Sequence, residues 1–406
     1  MPLFYGWIIV AAGFVISCVG FGTLMALGVF LQPMAADLGW SRASISAAAT
    51  LSFICMGAGS FLWGSLSDKF GSRAVLLSGG TIVGLGLIGS SQAATPLQFQ
   101  LLFGGLVGLG AGSFYAPLMS ITTRWFVRHR SLAVALVSAG MSLGSTTVAP
   151  FARWLISAYD WRIALLALGG LAWAVILPAA MLVREVSEAT ARQSAASEPA
   201  NGMTVSQALR TPQFAAIALT HFACCAAHSG PIFHMVSYAI DCGVAPMAAA
   251  TVIGAAGLAS LCGRIGCGLI ADRVGAKQTL VVGLLVQATA VSLYLFAGGL
   301  TSFYLLAALF GLSYGGVMPL YAILVREYFG ARIMGSVFGA VAMTSTLGMA
   351  LGPLAGGWLF DTWGSYFWLY IGSAGIGAGA VAIAMLFRPP SVPRVSLHGP
   401  AVPHSA

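Results

Sequence analysis

The charged residues of this chain are confined to short clusters. Between them lie ten windows without a single Asp, Glu, Lys or Arg: 1–36, 43–67, 74–123, 131–152, 163–183, 211–240, 242–263, 278–325, 333–360 and 362–387. A hydrocarbon core about 30 Å thick is crossed by about 20 apolar residues in helical form, so windows of this length fit membrane-spanning helices. Two windows, 74–123 and 278–325, are double length, and each is broken by a turn-forming patch, Ser90-Ser-Gln-Ala-Ala-Thr-Pro96 and Gly298-Gly-Leu-Thr-Ser302. Ten windows therefore predict twelve spans. The doubled window is the third in each half, so the chain reads as six plus six.

Composition closes off the alternatives. Charged residues make up 7% of the 406, against about 25% in soluble domains, so a water-exposed surface cannot be assembled from this sequence. Soluble enzymes, secreted disulfide scaffolds and disordered regulators are excluded. The expected fold is an all-α polytopic membrane protein with twelve transmembrane helices in two six-helix repeats. The expected bundles are 1–183 and 211–387, joined by a polar cytoplasmic linker over 184–210, and a proline-rich tail over 388–406 is expected to be disordered. The first apolar stretch lacks a basic leader and is too long for a cleaved signal, so it reads as the first span.

Basic residues set the orientation. With both termini in the cytoplasm, the inner loops and tail carry fourteen of the eighteen Lys and Arg residues and the outer loops three, Arg42, Arg153 and Arg162. This positive-inside bias places the surplus charge beside anionic lipid, so the net charge of +8 needs no nucleic acid to explain it. The eighteenth, Arg264, falls inside a span.

Two motifs recur at nearly one offset. Gly64-Ser-Leu-Ser-Asp68-Lys-Phe-Gly71-Ser-Arg73 returns 204 residues later as Gly268-Leu-Ile-Ala-Asp272-Arg-Val-Gly275-Ala-Lys277. Gly110-Ala-Gly-Ser-Phe-Tyr115-Ala-Pro117 is answered by Ser313-Tyr314-Gly-Gly-Val-Met-Pro319, with the prolines 202 apart. Duplicated halves of six spans are an architecture of secondary transporters with a midplane site.

At these residues the sequence resembles the major facilitator superfamily, over the whole chain. The resemblance implies that the loop after the second span is an inter-bundle latch favouring the outward-facing state, a role carried over to Asp68, Gly71, Arg73, Asp272 and Gly275. Tyr5-Gly6-Trp7, Gly39-Trp40-Ser41-Arg42, Tyr314-Gly-Gly and Cys262-Gly-Arg264-Ile-Gly-Cys-Gly-Leu-Ile-Ala-Asp272 are similar to the bacterial monocarboxylate-transporter-like and oxalate/formate-antiporter branch. In those relatives an arginine of the eighth helix holds the substrate carboxylate, and Arg264 occupies that position. Their acidic partner one turn earlier is Ser260 here, and the first helix lacks the lysine of the animal members.

The residues themselves point the same way. Arg264 lies eight residues before Asp272, about 12 Å along a helix, and an unpaired guanidinium at mid-membrane costs at least about 2.5–3.5 kcal/mol. With no acid expected in any span, water and hydroxyl or backbone oxygens must satisfy the empty site, and an anionic ligand is the natural counter-charge; the plain alternative is snorkelling to the interface. His221 and His228 share one face of the seventh span, seven residues apart, and either can take a coupled proton, donate to a carboxylate or serve as a packing residue. His234 is the weakest of the three. Tyr115 and Tyr314 sit at matching places in the repeats, and Leu24, Met141, Met343 and Trp368 are candidates for the apolar wall around them.

The expected function is alternating-access transport of a small monocarboxylate, with H+ as the candidate coupling ion or another carboxylate in exchange. Efflux of amphipathic drug-like compounds is the alternative within the same fold, and a non-transporting receptor or sensor is the alternative of another class. No catalytic grouping, cofactor or metal site is expected: the seven cysteines lack CxxC spacing and read as packing residues. The expected partners are a small organic anion, H+ and the bilayer, not nucleic acid, with the protein acting as a monomer in a bacterial inner membrane.

Overall fold

Inside a bilayer every backbone amide must find its partner within the chain, and the apolar windows meet that demand as helices. The structure, a computed structural model, describes residues 4–40, 42–186 and 203–388. Twelve of its helices are long and apolar enough to cross a membrane. In chain order they are α1 (Gly6–Met25, carried on by Leu27–Leu38), α2 (Arg42–Phe70), α3 (Ser72–Ser91), α4 (Pro96–Trp125), α5 (Arg130–Ala158) and α6 (Trp161–Met181), then α7 (Pro212–Asp241), α8 (Pro246–Val274), α9 (Ala276–Leu293), α10 (Leu300–Phe329), α11 (Met334–Trp363) and α12 (Phe367–Met385). No strand occurs among the described residues.

Both doubled windows split at the expected patches, and local chemistry fixes the breaks. Thr95 caps α4 by accepting from the Gln98 amide at 3.2 Å, with Pro96 in the first turn where no amide donor is needed. The second patch is closed by a bond from the Gly299 amide to Ser302 Oγ at 3.2 Å. Thr211-Pro212 repeats the first device at the start of α7, and Asp160 caps α6 through the Ile163 amide at 2.7 Å.

The halves repeat in packing as well as in motif. In the first, α1 packs on α5, α2 on α4 and α3 on α6; in the second, α7 packs on α11, α8 on α10 and α9 on α12. The seam between the halves is made by α2 with α11 and by α5 with α8. One apolar core runs through the first half and across the seam into Tyr321, Phe329, Met334 and Phe338, at the end of the molecule that carries the motif loops. A separate core built on Met235, Tyr294, Phe303 and Tyr370 fills the far end of the second half. The halves are thus closed on each other at the basic face.

Two expectations need correction, and a third gains detail. The helices run past the charge-free windows, so acids do fall within them: among the described residues Asp68, Asp272 and Glu327 occupy the final turns of α2, α8 and α10, and Asp37 and Asp241 lie at the ends of the continuation of α1 and of α7. They lie at helix ends because a carboxylate there still reaches water or a helix N-terminus. Arg326, counted with the loops, is buried in α10 with 1% of its surface exposed. The linker is structured where it re-enters the second half: Val205–Leu209 form a short helix behind a Thr204/Gln207 capping box. Positions 187–202 and the tail beyond 388 lie outside the described residues.

Candidate functional site

The site is built on the α5–α8 seam. Arg264 projects from α8 with only 6% of its surface exposed, so its side chain does not snorkel to the interface. Its Nε donates to Ser142 Oγ at 2.9 Å, and its Nη1 donates to Ser138 Oγ; both serines belong to α5 of the other half. Ser142 Oγ also lies 3.2 Å from Ser260 Oγ, one turn before Arg264 on α8. Serines four apart on a helix share a face, which lets two hydroxyls meet one guanidinium. The charge is hydrogen-bonded and has no acid beside it among the described residues.

Tyr115, Tyr314 and His228 surround this charge within electrostatic reach. Tyr115 donates to the Met318 carbonyl across the seam at 3.3 Å, and its ring packs on Phe338 with centroids 5.2 Å apart. Tyr314 lies 5.3 Å from the ring of His228, whose Nδ1 is 4.0 Å from Cys224 Sγ. His221 is one step further from the arginine. It stacks on Tyr321 at 3.9 Å, and its Nδ1 is buried without a hydrogen-bond partner among the described residues. The two histidines are buried and interact electrostatically, so Arg264, His228 and His221 form a file of polar groups through the second half. His234 is apart from them, bonded to Tyr366 at 3.2 Å.

A cavity of about 50 Å³ opens on the first-half side of Tyr115, bounded by Ser17, Phe21, Met56, Ser60, Ala111, Phe114 and Met141. Of the four expected wall residues, Met141 lines this cavity, Leu24 is buried in the core of the first half, and Met343 is half-buried in α11. Trp368 is not part of a wall. It is 49% exposed and packs on Trp363 and Phe367 in an outer aromatic cluster, as amphipathic rings near a membrane interface do.

The motif loops form two crossed caps at the basic face. Asp68 accepts from the amides of Gly335 and Ser336 at 3.1 and 2.7 Å and from Ser336 Oγ at 2.8 Å, so a carboxylate of the first half caps α11 of the second. Asp272 mirrors it, accepting from the amides of Ser131 and Leu132 at 2.9 and 3.1 Å and capping α5. Anions at helix N-termini are favoured by unpaired amides and the helix dipole alike. Gly71 and Gly275 turn the chain beyond each aspartate with φ of 85° and 97°, a region that costs glycine nothing.

Arg73 does not enter this arrangement: it is exposed, and the cation on Asp68 is Arg124 of α4, at 2.9 Å. A side chain on the first turn of α3 points away from the seam, whereas the last turn of α4 faces it. Arg124 also donates to the Ala331 carbonyl at 3.1 Å and lies 4.0 Å from Glu185, which accepts from the Ser72 amide at 2.6 Å.

The sequence profile described as Major Facilitator Superfamily matches residues 12–353 and again 267–405. The chain belongs to the major facilitator superfamily. Its fold agrees with that of FucP, a superfamily transporter crystallised in the outward conformation, with a TM-score of 0.76 at 15% identity over 95% of this chain and 99% of FucP. Among curated proteins, this superfamily member is 29% identical to monocarboxylate transporter 13 of Rattus norvegicus over 366 residues, 89% of this chain and 84% of that one. It is 29% identical to human monocarboxylate transporter 11, over 89% of this chain and 78% of that one. Human monocarboxylate transporter 2 is 24% identical over 94% of this chain and 84% of that one.

Within this superfamily member, sequence reasoning singled out Arg264, both aspartates and both turn glycines, and the structure brings each into contact with the other half or shapes the loop that does so. It missed Ser138, Ser142, Arg124, Glu185 and Ser336. The only signal for the serines was their spacing of four on an apolar helix.

Proposed function

We propose that this chain is a secondary transporter that carries a small monocarboxylate across a membrane by alternating access. The observation that carries the reading is Arg264: a guanidinium buried between the halves and bonded, among the described residues, only to hydroxyls is one charge short of neutral, and a carboxylate supplies it. A second carboxylate on the ligand would find no second Lys or Arg beside Arg264 among the described residues, which favours monoanions. The names of the curated relatives agree with this chemistry. Transport needs no cofactor and no bond-making groups, so the protein is proposed not to be an enzyme. The testing experiment is uptake of radiolabelled acetate, lactate, pyruvate and butyrate by reconstituted proteoliposomes; no saturable uptake of any of them refutes the reading.

Tyr115 and Tyr314 are proposed to contact the bound carboxylate, and His228 and His221 to take the coupled proton. His228→Gln keeps a hydrogen-bonding side chain but removes the titrating nitrogen. Uptake in this variant is expected to lose its dependence on a pH gradient while saturable exchange persists. An unchanged pH profile in both His228→Gln and His221→Gln would place the proton on the substrate instead.

The crossed caps are proposed to be the latch that holds the basic face closed, with the 1–183 and 211–387 bundles moving as the two bodies. Asp68→Asn keeps the shape but removes the charge that holds Arg124 and the start of α11. It is expected to slow turnover about ten-fold, the scale of a charge-assisted hydrogen bond, while the apparent affinity moves less than two-fold; equal loss of binding and turnover in folded protein would sink the latch. Arg73→Ala is expected to leave both unchanged. The basic face is proposed to be cytoplasmic, in a bacterial inner membrane, because most of the positive charge lies there.

A further inference from the structure

Among the described residues, the hydrogen bonds that hold Arg264 all come from the opposite half. A guanidinium carries donors and no acceptor, so Ser138 and Ser142 must both accept from it. Since Ser142 accepts from Nε, its own proton is free to go to Ser260 at 3.2 Å, which returns the chain of hydroxyls to α8. The third nitrogen, Nη2, has no hydrogen bond among the described residues. Both two-pronged faces of a guanidinium include Nη2, so it is the corner an incoming carboxylate has to reach.

Hydroxyls differ from an acid in one respect that decides what this arrangement does. They fix the orientation of the guanidinium without cancelling its charge, so the site stays short of one anion while its geometry is already set. The same two bonds cross the seam and add to the contact between the halves.

We propose that Ser138 and Ser142 are positioning residues for Arg264: they hold two of its three nitrogens across the seam, leave Nη2 to the substrate, and make the empty guanidinium a tie between the halves. This rests on the transport reading for the identity of the ligand, but the tie itself exists without ligand. Substrate binding at Nη2 draws on the charge that the serines share, so it weakens the tie as it neutralises the site. Anion binding is thereby linked to loosening of the α5–α8 seam.

Two readouts test this. The first is ligand-free: the distance between spin labels on the two halves at the basic face. The second is the KM and kcat of uptake of acetate, lactate, pyruvate and butyrate. The Ser138→Ala/Ser142→Ala double variant is expected to shift the empty protein several-fold toward opening at the basic face and to raise KM about ten-fold, with kcat changing less. Ser138→Thr/Ser142→Thr, which keeps both hydroxyls, is expected to rescue both readouts. Ser142→Asp is expected to separate them: the tie strengthens and the closed population rises, while uptake falls because the guanidinium is already neutralised.

Unchanged spin-label distances in the alanine variant, or a threonine variant as impaired as the alanine one, overturns the proposal. If the double alanine variant does not fold, the two single alanines carry the same comparison. A wild-type protein that takes up none of the four acids refutes the transport reading, and the ligand-free distances still decide the role of the serines.

Discussion

Replacing Arg264 by alanine is expected to reduce carboxylate uptake about a hundred-fold or more, the scale on which removing one partner of a buried, hydrogen-bonded charge pair is felt. The fold should survive. The partners left behind are the hydroxyls of Ser138 and Ser142, which can bond to one another, to Ser260 or to water, whereas the deleted group is a charge that costs energy to keep in the membrane. The melting temperature of purified Arg264→Ala is therefore expected to equal or exceed that of the wild type, and addition of carboxylate should no longer raise it, because ligand stabilises only a protein that binds it. Near-normal uptake in this variant would show that the arginine packs without recognising substrate.

The lysine variant separates charge from geometry. An ammonium placed at residue 264 keeps the positive charge but cannot bond to two serines and still offer an in-plane edge to a carboxylate. Uptake in Arg264→Lys is expected to remain well below wild type, and an amide analogue of the best substrate should fail to compete in the wild type. Competition by the amide as strong as by the acid would promote the efflux reading, in which an amphipathic ligand fills the apolar cavity beside Tyr115 and its charge is incidental.

What was legible in the sequence follows from how costly each feature is. Charge inside a bilayer is expensive, so the charged clusters mark the helix ends and the twelve spans could be counted from them. For the same reason Arg264 stood out as a charge with no loop to explain it. The duplicated motifs gave the equivalence of Asp68 with Asp272 without any structure. Cheap features were hidden. A serine in a spanning helix can satisfy itself on its own backbone, as Ser52 does on the Ala48 carbonyl at 2.8 Å, so nothing distinguished Ser138 and Ser142 from the other hydroxyls until α8 was laid against α5. Arg124 and Arg326 were hidden differently. Their windows end just before them, so they read as loop cations, although the helices continue past them and turn their side chains inward. Arg73 is the converse case, exposed where Asp68 is held, since a motif fixes spacing along the chain but not the direction in which a side chain leaves the helix.

The seam between α2 and α11 sets the last expectation. At Gly64 the two backbones meet directly: a Cβ there would collide with the Gly335 carbonyl oxygen and sit 2.8 Å from its carbon and 3.4 Å from Gly339 Cα. A Cβ on Gly335 would in turn sit 2.6 Å from Ser67 Oγ and 2.7 Å from Asp68 Oδ1. The obstacles to a side chain at residue 64 are backbone atoms, which cannot swing aside, so Gly64→Val must push α2 from α11 and pull Asp68 off the start of α11. The collision lies between the halves and not within either, so each half should still fold on its own contacts. The expected result is a protein that reaches the membrane and stays open at the basic face. Turnover should fall to background, and carboxylate affinity measured from that face should stay within a few-fold of wild type. A thiol placed on the inner surface of α11, protected in the wild type, should react freely with a membrane-impermeant maleimide applied to the basic face. Protection equal to wild type, or transport at the normal rate, would mean that the closed seam is not a state through which the protein must pass.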